Sequence, residues 1–136
     1  MFCNLYVGNN DSHAKNLSLY DMPGQGVMLT PFYHLMCTRL YPGLSPEFAF
    51  AVGGEVRPGE VRAENLALMA RQRGMQPRFL AQQARDMADR VPTAVDQAMR
   101  EINPALTPAS RTLVVQLERV ASSTTKKLAA RITAAP

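Results

Sequence analysis

From residue 63 onward, apolar residues recur with a helical period, and no other feature of the chain limits its fold so strongly. Leu66, Met69 and Ala70 form a first short stripe, which Gly74 is placed to end. A second helix is predicted from about Pro77, because proline is tolerated at the first helical position. Its apolar face is Leu80, Ala84, Met87, Ala88, Val91, Val95, Ala98, Met99 and Ile102. That face keeps its phase through Pro92, which predicts either a kinked helix or two nearly collinear ones. Thr107-Pro108 is another start signal, a capping hydroxyl followed by proline. The last helix is expected to bury Leu113, Leu117, Val120, Ala121, Leu128 and Ile132, with Arg119 and Lys126 on the opposite side.

The first 62 residues read differently. Phe2-Cys3-Asn4-Leu5-Tyr6-Val7 is the end of a helix or a short buried strand, and a run this short needs tertiary contacts to hold it. Leu17–Tyr20 and Val27–Thr30 flank the turn-rich segment Asp21-Met22-Pro23-Gly24-Gln25-Gly26, which predicts a small hairpin. A third strand is expected at Phe48–Val52, ending at Gly53-Gly54, and residues 55–62 are turn-like around Pro58-Gly59. The fold class that follows is α+β, mainly α: a small β-hairpin element carrying polar loops, then a bundle of three to four helices. Residues 1–136 form a single domain with a loop-and-strand part (1–62) and a helical part (63–136).

Charge and cysteine content narrow the function classes. The net charge is +4, and residues 1–110, with ten basic and ten acidic side chains, contribute none of it. Arg111, Arg119, Lys126, Lys127 and Arg131 against Glu118 alone supply the surplus. A basic terminal helix can meet phosphates or an acidic partner, although without interleaved aromatics a solvated helix face accounts for it as well. No apolar run approaches the roughly 20 residues of a membrane span, and the absence of a leader predicts a cytoplasmic protein. Cys3 and Cys37 do not make a disulfide framework and are expected to be free thiols.

The chemistry concentrates in Gly8-Asn9-Asn10-Asp11-Ser12-His13-Ala14-Lys15-Asn16. Asp11 and Asn16 have a spacing that recurs where phosphoryl transfer is done by positioning: a carboxylate orients the attacking hydroxyl, and an amide oxygen five residues on helps hold Mg²⁺. His13 can brace the loop through its ring nitrogens, and Lys15 can neutralise charge on a transferred phosphoryl group. The alternative is a hydrogen-bonded polar loop with no chemistry. Cys3, His13, His34 and Cys37 also make a Cys₂His₂ set, but with gaps that match no standard zinc spacing. Cys37 has only His34 nearby to activate it as a nucleophile.

This loop, followed by Leu17-Ser18-Leu19, resembles the catalytic loop of HipA-family serine/threonine kinases, the toxin halves of bacterial HipA–HipB toxin–antitoxin pairs. Leu29-Thr30-Pro31-Phe32-Tyr33 resembles the segment leading to that family's metal-binding aspartate, and the helical remainder is similar to its C-terminal all-helical region. The resemblance implies a kinase-like C-lobe. It makes Asp11 the catalytic base, Asn16 a Mg²⁺ ligand, and His13 and Lys15 supporting polar groups, with Asp11, Asn16 and position 34 facing Mg·ATP. It also implies transfer of the ATP γ-phosphoryl group to protein serines, and restraint by a HipB-type DNA-binding antitoxin.

Two departures qualify those implications. Position 34 holds His34 where the family has aspartate, and Mg²⁺ prefers hard oxygen ligands to imidazole. The phosphate-binding loop and lysine of a kinase N-lobe belong upstream of Met1. The expectation is therefore a chain inactive by itself, completed by an N-lobe polypeptide. Otherwise it is a pseudokinase-type module binding an antitoxin-like partner or itself as a homodimer, touching DNA at most through a partner. Exposed Phe2, Leu5 and Phe32 would favour such association.

Overall fold

The computed structural model describes residues 1–133; the last three residues of the predicted domain lie outside the described residues. Its elements in chain order are α1 (Phe2–Val7), β1 (Leu19–Met22), β2 (Gly26–Leu29), α2 (Ala63–Gln72), α3 (Pro77–Ile102) and α4 (Pro108–Thr133), with short 3₁₀ turns between them. The fold is mainly helical with one antiparallel hairpin, as the patterning requires.

Helices α3 and α4 run against each other, and α1 and α2 pack onto both. The 3.6 period of α2 and α3 is met in the core: Leu66, Ala70, Leu80, Ala84, Ala88 and Val91 are buried. α2 ends where Gly74 takes a left-handed conformation (φ 67°). α3 continues through Pro92 as one 26-residue helix, the first of the two outcomes that its unbroken apolar phase allowed. At the start of α4, the Thr107 hydroxyl accepts the Ser110 N–H at 3.2 Å, so the capping signal acts as expected.

Helix α1 is the centre of the core rather than its margin. Leu5 and Tyr6 are fully buried, and Phe2 stacks on Tyr6. These burials correct the expectation that Phe2 and Leu5 lie exposed. The Tyr6 hydroxyl donates to the Ala84 carbonyl of α3 at 2.9 Å. Burial pushes the phenol up to about 12, with nearby Asp89 adding to the rise.

Three further expectations are corrected. Phe48–Val52 is not a strand. The segment folds back through a single bridge between Val52 and Glu55, with the Phe48 N–H bonded to the Val56 carbonyl at 2.7 Å. Gly53 makes this turn possible: its φ is 54°, and a Cβ there would lie 2.0 Å from the Asn65 carbonyl oxygen. The hairpin pairs Leu19–Met22 with Gly26–Leu29 around a three-residue turn, so the first strand begins two residues later than the apolar run suggests. On α4, Ala121, Leu128 and Ile132 are buried, but Leu113 is 43% exposed and Leu117 and Val120 are half-buried.

Candidate functional site

The polar loop is set by the helix that precedes it. α1 ends at Gly8, left-handed at φ 78°, and the Asn9 N–H also folds back to the Asn4 carbonyl at 2.9 Å. Asn9 and Asn10 follow, both buried. The Asn9 amide donates to Asn4 Oδ1 at 3.2 Å and to the His34 carbonyl at 3.1 Å. The Asn10 N–H donates to Thr38 Oγ1 at 2.8 Å, and its side-chain amide reaches the carbonyls of Ser45 (3.4 Å) and Pro46 (3.0 Å). These two amides tie the start of the loop to residues 34–38 and 45–46.

Asp11 emerges from that anchor with its carboxylate half exposed. Its Oδ2 lies 3.2 Å from His34 Nε2, and its Oδ1 lies 3.6 Å from His13 Nε2. Asn16 closes the loop from the other end, its amide donating to the Asp11 backbone carbonyl at 2.8 Å. That bond uses the nitrogen side of the amide and leaves the Asn16 oxygen available as an acceptor. The structure thus brings Asp11, His13, Asn16 and His34 together from a span of 24 residues. Lys15 stands apart: its side chain is exposed and forms no ion pair among the described residues, while its carbonyl accepts from the Tyr33 hydroxyl at 3.3 Å. Tyr33 is also 2.8 Å from the Ser18 hydroxyl, bracing the far end of the loop.

His34 has φ 56°, the one non-glycine residue with positive φ among the described residues. A left-handed backbone costs a β-carbon-bearing residue about 1–2 kcal/mol, and such strain clusters at functional positions.

Two open cavities flank the loop. One, of about 450 Å³, is lined by His13, Asn16 and His34 together with apolar Leu29, Phe32 and Phe50. The other, of about 430 Å³, is lined by Asn10, Asp11, Ser45 and Glu47, with Leu44 and Phe48. Asp11 lines the second space, and Asn16 and the two histidines line the first. The anchoring roles of Asn9, Asn10 and Tyr33, and the second cavity, are the parts of the site that the sequence reading missed. The adjacency of two asparagines to Asp11 was the one available signal.

The donor set can be tested against Mg²⁺. Asp11 and Asn16 offer oxygen, whereas His34 and His13 offer imidazole nitrogen, which suits later transition metals better. Among the described residues, no group of three or more His, Cys, Asp and Glu side chains is arranged to hold a metal ion. The set does not fit Mg²⁺, and the Cys₂His₂ grouping does not assemble either. Cys37 is buried, and that burial pushes its thiol above the ordinary value, away from a reactive thiolate. No helix among the described residues is long and apolar enough to cross a membrane.

Residues 1–99 match the family model described as HipA-like C-terminal domain. The chain is 32% identical over 109 residues to "Putative kinase Y4mE" of Sinorhizobium fredii, covering 79% of this chain and 26% of that protein. It is 30% identical over 101 residues to the serine/threonine-protein kinase toxin HipA of Shewanella oneidensis, covering 74% of this chain and 23% of that one. Among solved structures, Shewanella oneidensis MR-1 HipA, in a complex with HipB and operator DNA, superposes with a TM-score of 0.78. It is 26% identical, and the match spans 95% of this chain and 30% of that one. The chain thus spans about a quarter of the length of the curated relatives it matches. The shared fold, the matched family model and the relatives agree: this chain belongs to the HipA-like C-terminal domain family.

Proposed function

We propose that this chain is the C-terminal lobe of a HipA-type serine/threonine kinase in which the base-bearing loop is retained and the metal–nucleotide half of the site is lost. The observation that carries this reading is the pairing around Asp11. The Asn16 amide closes the loop on its backbone, as positioning of a base requires, while His34 Nε2 sits 3.2 Å from its carboxylate in place of a second oxygen ligand. In a working site, Asp11 accepts the proton of a protein serine hydroxyl entering from the cavity that it lines with Glu47. The nucleotide belongs on the opposite side, with Asn16 and His34. Phosphoryl transfer depends almost wholly on positioning, and this donor set does not hold Mg·ATP. An N-terminal lobe, on the same polypeptide or another, is required to enclose the nucleotide.

A second reading is a non-catalytic module that binds an antitoxin-like partner. Its support is the exposed apolar surface of the hairpin and the segment after it: Leu19 is 67%, Val27 70% and Phe32 63% exposed. The HipA relative of known structure is in a complex with HipB, which makes a HipB-type protein the partner to try.

Calorimetry with Mg·ATP separates these readings from an active kinase. The 136-residue chain is expected to show no binding, and His34→Asp alone is expected not to restore phosphoryl transfer to a serine substrate. Micromolar Mg·ATP binding by the unaltered chain would overturn the loss of the metal half.

A further inference from the structure

The imidazole of His34 is oriented through one nitrogen and open at the other. Its Nε2 lies 3.2 Å from Asp11 Oδ2. An ionised carboxylate only accepts hydrogen bonds, so this contact places the ring proton on Nε2 and leaves a lone pair on Nδ1. Nδ1 has no hydrogen-bond partner among the described residues. The backbone beneath it is fixed, because the Asn9 amide binds the His34 carbonyl at 3.1 Å and the residue is kept at φ 56°. Asp11 is steadied in turn by the Asn16 amide on its own carbonyl. A carboxylate that orients an imidazole, with the second ring nitrogen unused, is how a histidine is readied for attack.

His13 does not compete for this role. Its Nε2 is 3.6 Å from Asp11 Oδ1, too far for a hydrogen bond, and its Nδ1 is buried without a partner. The His34 side chain is 38% exposed and lines the cavity of about 450 Å³. Leu29, Phe32 and Phe50 give that cavity apolar walls, and no acidic side chain lines it. Arg73, also in the lining, forms no salt bridge or side-chain hydrogen bond among the described residues. Such a space suits a ligand with an apolar body and an anionic end.

We propose that His34 is a phosphoryl-acceptor site, modified on Nδ1 by an acyl phosphate whose acyl group lies against Leu29, Phe32 and Phe50. Nδ1 attacks phosphorus, and an N–P bond forms as the P–O bond to the acyl group breaks. The carboxylate leaves with that bond's electron pair. The positive charge arising on the ring is met by Asp11, which holds or accepts the Nε2 proton, and Arg73 offsets the charge of the phosphoryl oxygens. Asp11 acts here through His34, as a positioning residue. The reaction consumes neither a nucleotide nor a serine, so it does not rest on the kinase reading, and either can fail alone.

The test is incubation of the 136-residue chain with radiolabelled benzoyl phosphate in the presence of EDTA. A single phosphoryl group per chain is expected, labile in acid and stable in base. Trypsin cuts after Lys15 and Arg39, which separates the two histidines of the chain, and the label belongs in the peptide 16–39. His34→Gln abolishes labelling, and Asp11→Asn slows it by about tenfold or more. Nitrogen NMR of the imidazole gives the readout that a merely structural role would not move: the His34 proton sits on Nε2 in the natural chain and is shared between both nitrogens in Asp11→Asn. Circular dichroism checks that both variants fold; if either does not, the acid lability and the labelled peptide of the natural chain decide. Acid-stable label, label in residues 1–15, or modification no faster than that of free imidazole would overturn the proposal. So would equal rates in the natural chain and a folded Asp11→Asn.

Discussion

The helical base and the hairpin face of this molecule are built to different standards. In the base, Leu5, Tyr6, Val52, Val61 and Ala70 are all fully buried, and helices on either side of α1 close over it. On the hairpin face, every residue of β2 is exposed, as is nearly all of β1. An isolated two-stranded hairpin is at best marginally stable in water. The polar loop around Asp11 sits at the boundary between the two. Asn9 and Asn10 root it in the base, while Asp11, His13 and His34 open toward the exposed side. The contrast teaches that the geometry around Asp11 is fixed from below, so it persists even where the surface above it has no cover.

The sharpest way to break the base is Gly53→Ala. The new methyl would sit 2.0 Å from the Asn65 carbonyl oxygen, on a backbone at φ 54°. Both atoms belong to rigid backbone, so neither can step aside. A loss of about 3 kcal/mol or more in urea unfolding is expected, through strain and the broken turn beneath α2. A loss below about 1 kcal/mol would show that this turn is softer than the packing implies.

Tyr6→Phe is the next largest test. It removes the hydrogen bond to the Ala84 carbonyl that ties α1 to α3, for a cost of about 1 kcal/mol. It also isolates a pH effect whose sign is fixed by the environment. The buried phenol titrates near 12 in the folded chain and near 10 when exposed. Its contribution to stability is therefore complete below about pH 10 and is lost as pH rises toward 12. Thermal melts of the natural chain should fall more steeply across that interval than those of Tyr6→Phe. Parallel curves would remove Tyr6 as the cause.

The two regions also differ in how far the sequence discloses them. Helices α2 and α3 were legible because Leu66, Ala70, Leu80, Ala84 and Val91 repeat at the period that burial demands. The loop was legible because Asp11, His13 and Asn16 are local to one another. The stripe on α4 misled at Leu113, since a period reports which face is apolar and not whether anything covers it. Phe48–Val52 misled for a related reason. Phe48 and Val52 are buried by a tight turn that depends on Gly53 approaching Asn65, a contact between distant residues. The anchoring by Asn9 and Asn10 was invisible because their partners are backbone carbonyls and a threonine, which have no sequence signature. The contact between Asp11 and His34, 23 residues apart, followed only from family resemblance.

His34→Gly tests the boundary between the regions. At φ 56° the imidazole-bearing residue is strained, and glycine adopts that conformation freely. Removing the side chain relieves about 1 kcal/mol and loses only a half-exposed contact with Asp11. A small gain in stability is expected. A loss would mean that the Asp11–His34 pair, rather than the Asn9 amide bonded to the His34 carbonyl, holds this turn.

The smallest effect is expected on the hairpin itself, and its smallness carries the information. Val27→Thr and Leu19→Thr alter side chains that are 70% and 67% exposed, and threonine keeps the β-propensity of the strand. Unfolding free energy should stay within about 0.5 kcal/mol, because nothing in the described residues covers these side chains. Self-association is the property that should change, since exposed apolar strands recruit other chains at their edges and faces. Sedimentation across a concentration series will separate the two quantities. Unchanged stability with reduced association identifies the hairpin as a surface awaiting a partner. A loss of 1 kcal/mol or more would instead make it part of the folded core and erase the contrast with the base.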